Sequence, residues 1–209
     1  MKLFQGGWFP ILLAAAIAFL MLTWRRGQQI AEKARSSLRE SEREFVANLL
    51  TRPPVRLPGT AAFLTSGTTG IPLTLTLHLK HIHALHERVL LVTVLTSEEP
   101  RVREDARAEI LDLPAGLSRV TLHYGFMETP SVPEGLRLAQ EQAQLNCGSL
   151  PKISYYIGRE AIIPAARIPG MWVWRESLFA FMLHNAERSA AYFRIPATQV
   201  VEMGIEIEI

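Results

Sequence analysis

The sequence is short of the features that mark most enzymes and nucleic-acid binders. Among 209 residues there is a single cysteine, Cys147. One thiol excludes an internal disulfide, argues against a thiolate metal cage and suits a reducing compartment, so a free, buried cysteine is expected. The formal net charge is only +2. Much of the positive excess sits in one place, at Arg25, Arg26, Lys33 and Arg35. No broad basic surface is left to favour nucleic acid as a partner. No internal repeat is visible. Neither Ser154 nor Cys147 has a motif around it that would activate a hydroxyl or thiol, so neither an enzyme nor a cofactor is expected.

The lack that organises the chain is one of charge. From Leu3 to Trp24 there is no Asp, Glu, Lys or Arg across 22 residues. As a helix this run is about 33 Å long, enough to cross a hydrocarbon core of about 30 Å. Trp8 and Trp24 lie near its ends, where amphipathic rings favour the membrane interface. Lys2 stands alone before it, whereas Arg25 and Arg26 come at once after it, an asymmetry that places the C-terminal side in the cytoplasm. A secretory signal peptide is the competing reading. It would carry its positive charge before the run and a small-residue cleavage site after it, where this chain has Trp24 and Arg25.

Beyond Trp24 the chain divides into a connector and a domain. Residues 25–57 read as a charged helix to about Leu50 and then a Pro-rich linker; Pro53, Pro54, Pro58 and Gly59 break the pattern. Residues 58–209 read as a cytosolic α/β domain with a mixed sheet, alternating strands and helices. Strands are expected at Thr60–Thr65, Val89–Thr96, Ala108–Leu113, Arg119–Phe126, Ser154–Ile157 and Val200–Ile209. Helices are expected from Pro133 to about Asn146 and from Trp172 to Phe193. Leu73 to His86 fits both periods. Pro72 suits a first helical turn, and a helix there completes a strand–helix–strand unit.

Two stretches invite chemistry. Thr65-Ser66-Gly67-Thr68-Thr69-Gly70-Ile71-Pro72 resembles the phosphate loop of adenylate-forming enzymes, but that loop ends in a lysine where this chain has Leu73. A glycine-rich turn between strand and helix also arises for geometric reasons alone. His78, His81, His83 and His86 offer no i, i+4 ligand pair and only Glu87 as a close carboxylate, so no metal site is expected. Arg159 and Glu160 are the candidate ligand or interface residues. They come directly after Gly158 at the expected carboxyl edge of the sheet, where ligands of open α/β sheets bind. The competing reading has Arg159 paired with Glu176 or Glu202 to hold a helix on the sheet.

An ordered set of strings carries a family resemblance. It begins with Gly6-Gly7-Trp8-Phe9-Pro10 and Met21-Leu22-Thr23-Trp24. It continues with Pro58-Gly59-Thr60-Ala61, Tyr124-Gly125-Phe126-Met127-Glu128, Ser154 to Glu160, Trp174-Arg175-Glu176, Tyr192 to Pro196 and Val200 to Ile207. Together they resemble the C-terminal part of the bacterial KUP potassium-uptake transporters, the last membrane helix plus a cytosolic domain. The resemblance implies potassium import across the cell inner membrane by proton symport, with potassium ions, protons and membrane lipid as partners. A homodimer formed through the cytosolic domain is a further expectation. The family's preceding membrane helices, which form the ion path, do not precede this region here. The chain is thus expected to be a truncated copy, a misplaced gene start or a separately encoded piece, with ion-binding residues outside it. A membrane-anchored ligand-sensing or interaction module without transport is the alternative.

Overall fold

A computed structural model describes residues 8–38, 40–142, 145–163, 172–185 and 189–208. The first residues of the apolar run, 3–7, lie outside this set, as does Ile209. The chain separates into two compact units. One holds residues 1–38, 160–186 and 206–209, and the other residues 39–159 and 187–205.

In the first unit, α1 runs unbroken from Trp8 to Leu38, through the arginines that end the apolar run. Residues Trp8–Lys33 are long and apolar enough to cross a membrane. Phe9, Ile11, Leu12, Met21 and Leu22 are each more than half exposed, a continuous apolar surface of the kind that water-soluble monomers avoid. The second helix here, α5 (Val173–His184), packs against α1. A single long helix from Trp172 to Phe193 is expected from the sequence, but α5 ends at Asn185. There the Asn185 side chain and backbone N–H both donate to the Phe181 carbonyl, a local bond that competes with helix continuation. A separate short helix, α6, covers Ser189–Tyr192.

The sheet has six strands: β1 (Val55–Thr65), β2 (Ala84–Ser97), β3 (Ala108–Leu113), β4 (Leu117–Gly125), β5 (Ser154–Ile163) and β6 (Val200–Glu208). Their order is β3-β4-β2-β1-β5-β6. β1 lies parallel to both β2 and β5, and β2 parallel to β4, while β3 runs antiparallel to β4. The class is therefore α/β with a mixed sheet. β1 begins earlier than its buried part implies. The register slips by one residue between Leu57↔His86 and Thr60↔Arg88. That bulge absorbs Pro58, which has no N–H to give, and Gly59, whose φ of 108° suits glycine.

Both faces of the central strands are covered. Ala62, Leu90 and Val92 point into one core with Val120, Leu122 and helix α4 (Val132–Gln142). Val132, Leu136 and Ala139 make the buried stripe of α4, and Gly135 lets α4 come close, since a Cβ there would sit 2.6 Å from Leu122 Cδ1 and push that side chain aside. Ala61, Phe63, Val89 and Leu91 point into the other core, under α2 (Glu42–Thr51) and α3 (Leu73–Ile82). Alternate residues of one strand thus feed two cores, which is why these strands read as unbroken apolar runs. Between β1 and β2, α3 takes the helical reading of an ambiguous segment. Pro72 caps its start and His83, in the left-handed region at φ 56°, ends it with its N–H on the Leu79 carbonyl. In α2, charge surrounds a narrow apolar edge, Phe45 and Leu49, which is buried on the sheet.

Candidate functional site

The carboxyl ends of the parallel strands are the natural place to seek a site. Chain direction splits at β1, which continues through α3 to β2 on one side and borders β5 on the other; such a switch point leaves a crevice for ligands. Carrying the Phe63↔Tyr156 register two residues further brings Gly158 level with Thr65, the last residue of β1. Arg159 therefore stands just past the end of β1, although β5 itself continues to Ile163. Its side chain is 61% exposed, with one guanidinium nitrogen 3.8 Å from a Glu202 carboxylate oxygen on β6. Of the two partners considered for Arg159, the structure thus brings Glu202 near. This is a loose surface pair. Glu160 is the next residue of the strand, and its side chain lies outside the described residues.

The Ser66–Gly70 loop is tied down by the protein itself. The Gly67 N–H donates to Thr65 Oγ1 at 3.2 Å, and Thr93 Oγ1 donates to the Gly67 carbonyl at 2.9 Å. Arg119 donates to the Gly70 carbonyl at 2.9 Å and to the Glu42 carboxylate, joining loop, β4 and α2. Leu73, where a phosphate-binding lysine would stand, opens α3. These bonds fix a turn, which is the geometric reading of the motif.

The four histidines part company. His81 and His83 are exposed, while His78 is buried on the sheet side of α3 and His86 is half-buried on β2. His78 sits 4.7 Å from the Tyr156 ring and 5.4 Å from Phe63, with His86 6.5 Å away, centroid to centroid. Phe63 and Tyr156 stack at 4.6 Å. No hydrogen bond of adequate geometry reaches either ring nitrogen of His78, or Nδ1 of His86. Burial lowers the pKa of both, and in His78 the neighbouring His86 lowers it further, against a weaker opposing pull from the Ala84 backbone. Both rings are thus held neutral near pH 7. Among the described residues no three His, Cys, Asp or Glu side chains converge as a metal site would need.

Cys147 is buried, as its solitary status predicts, with its thiol donating to Gln140 Oε1 at 3.2 Å. Burial raises its pKa, the reverse of an activated nucleophile. Among the described residues, one partly buried electrostatic assembly is hidden in the sequence. Arg107, before β3, meets Glu128, after β4, in a two-pronged pair at 2.6 and 2.9 Å. Arg107 also donates to the carbonyls of His123 and Val102, and its guanidinium lies 4.4 Å over the Tyr124 ring. Glu128 accepts further bonds from the N–H groups of Gly125 and Val102. The hydrogen bonds from Arg107 are the largest cause holding the Glu128 carboxyl down at about 2. In the sequence only Glu128, the one charge on the family-like string Tyr124 to Glu128, points there.

The chain thus joins a helix long and apolar enough to cross a membrane to an α/β unit with a six-stranded mixed sheet, the build of a membrane-anchored α/β protein. A family model described as the K+ potassium transporter C-terminal domain matches residues 58–209, and the chain belongs to that potassium-transporter family. It is 54% identical over 208 residues to a probable potassium transport system protein Kup 3 of Bradyrhizobium diazoefficiens. It is 42% and 44% identical over 209 residues to probable potassium transport system proteins Kup of Nitrosomonas eutropha and Myxococcus xanthus. Each match covers 100% of this chain but only 34, 32 and 31% of the relative, so the chain spans about a third of the relatives' length. No solved structure matches it.

Proposed function

We propose that the chain serves potassium uptake as the C-terminal portion of a Kup-type K+/H+ symporter. In this reading α1 crosses the cell inner membrane and the α/β unit lies in the cytoplasm. Potassium ions, protons, membrane lipid and a second copy met through the α/β unit are its partners, and it carries no catalysis. The observation that supports it is the match of the whole chain, span included, to potassium transport proteins. Arg25 and Arg26 after an uncharged run support the orientation.

The chain by itself is not a conduit. A desolvated cation needs oxygen ligands arranged around it, and the carbonyls of a single helix are already bonded within that helix. No charged residue between Leu3 and Trp24 supplies an alternative. Transport therefore needs further membrane helices, on the same polypeptide or another. The test is growth of a potassium-uptake-deficient bacterium at limiting potassium. Rescue is expected only when the preceding helices of a full-length relative are supplied; rescue by this chain alone would refute the reading. A membrane-anchored ligand-sensing module is the second reading, favoured by one observation: exposed, loosely paired Arg159 at the β1/β5 switch point.

A further inference from the structure

The exposed aromatic face of α5 has no role in potassium uptake as proposed. Its position is fixed by contacts with one short stretch of α1. The Trp174 ring stacks on Phe19 at 5.7 Å and 14°, and Arg175 Nε donates to Thr23 Oγ1 at 2.9 Å. Phe179 is fully buried, 5.5 Å from the Trp24 ring and pressed onto Gly27, where any Cβ would collide with it. From Phe19 to Gly27 is about 12 Å of helix axis. That stretch holds the transition from uncharged run to Arg25 and Arg26, the level at which a bilayer passes from hydrocarbon to headgroup.

α5 and Trp172, the residue before it, turn outward side chains that water does not favour. Trp172 is 76% exposed, Trp174 55% and Phe181 67%. A groove lined by Leu20, Met21, Leu22, Trp24 and Met182, rimmed by Arg25, continues the apolar surface of α1. We infer that α5 is an interfacial helix lying on the phospholipid bilayer, with Trp172, Trp174 and Phe181 in the headgroup–acyl boundary and a lipid chain in the groove. The inference rests on α1 spanning the membrane. A lipid surface is preferred to a protein partner because the chemistry is sorted by depth. The Trp174 indole meets Phe19 inside the uncharged run, the Arg175 guanidinium meets Thr23 at its end and Arg25 and Arg26 follow, so apolar and aromatic groups lie deeper than the charges, as at a bilayer edge.

The full chain is reconstituted in phosphatidylcholine/phosphatidylglycerol vesicles carrying lipids spin-labelled near the headgroup or deep in the chain. With W8F, W24F and W172F, Trp174 is the sole fluorophore. It is expected to lose at least half its emission to the shallow label, less to the deep one, and to resist aqueous acrylamide. A second variant with Leu13→Trp as the only tryptophan reports the span and is expected to respond most to the deep label. If Leu13→Trp responds so while Trp174 is open to acrylamide or shielded from every quencher, α5 is not on the bilayer although α1 crosses it. If Leu13→Trp escapes the deep label, the span fails and the inference with it. Phe181→Trp as sole tryptophan repeats the measurement at the other end of α5, so a variant that disturbs the Phe19–Trp174 stack does not decide the outcome.

Discussion

Removing the Glu128 charge should cost the α/β unit more than any other single surface-proximal change. Glu128 receives four hydrogen bonds, two from Arg107 and two from backbone N–H groups, and all four partners are donors. In Glu128→Gln the new amide must turn an N–H₂ toward at least one of them, and Arg107, only 8% exposed at its side chain, loses its counter-charge. Leaving one member of a buried pair alone costs about 3–5 kcal/mol. Linkage gives an independent figure. A carboxyl lowered from 4.5 to about 2 is worth about 3.4 kcal/mol at neutral pH, and solvent reaching the 19%-exposed side chain brings that to about 2–3. Both routes converge near 3 kcal/mol. The sign is set by the depressed pKa: the contribution is complete above pH 4.5 and is lost as pH falls toward 2, about half of it by pH 3. Urea unfolding of the full chain in a mild detergent, read by far-UV circular dichroism from pH 7 to pH 3, tests this. The gap between wild type and Glu128→Gln should narrow as pH falls. A gap that stays constant, or one below about 0.5 kcal/mol at pH 7, would refute the reasoning.

The histidine pair makes an opposite substitution informative. Because burial lowers the pKa of His78 and His86, the unfolded chain binds more protons, so stability is full above about pH 6.5 and falls below it, by up to about 1.4 kcal/mol per pH unit for His78. His78→Leu should flatten the curve between pH 6.5 and 5; an unchanged slope in the same urea titration would show that His78 is not the titrating group. Arg159→Ala should lower stability by about 0.5 kcal/mol or less, since its pair with Glu202 is long and exposed. A loss of several kcal/mol would make it a structural staple and remove the best support for ligand sensing.

Most of the fold can be read in the sequence because its strands are buried on both sides. Val89–Val92 and Ala61–Leu64 are apolar without interruption, as a sheet covered on two faces asks. The end of α5 is less legible, since Asn185 stops the helix through a side-chain bond rather than a proline or glycine. The candidate site is legible only in part. The strand expected to end at Gly158 runs on to Ile163, so Arg159 lies within β5 and only past the end of β1, and the Arg107–Glu128 pair joins residues 21 apart through a hairpin. No local periodicity records such a meeting. His78 is likewise one of four similar histidines until α3 is laid on Phe63 and Tyr156.

The slip at Pro58 and Gly59 sets how this domain tolerates changes in length. Upstream of it, Val55 to Leu57 keep step with Ala84 to His86; downstream, Thr60 to Thr65 keep step with Arg88 to Thr93. The two stretches are out of phase by one residue, and the mismatch is held in a pair of residues that make no demand on the core. Dropping Gly59 would close the slip and leave Val55, Arg56 and Leu57 opposite the same β2 partners, Ala84 to His86. Arg56, still opposite Leu85, would remain beside the carbonyls of His86 and Ala115, which it holds at 3.0 and 2.7 Å. The alternation that feeds Ala61 and Phe63 to one core and Ala62 to the other would not move, because it is counted from the β2 side. The slip therefore confines a change in length to β1 upstream of Thr60, leaving in register the strand residues that feed the two cores.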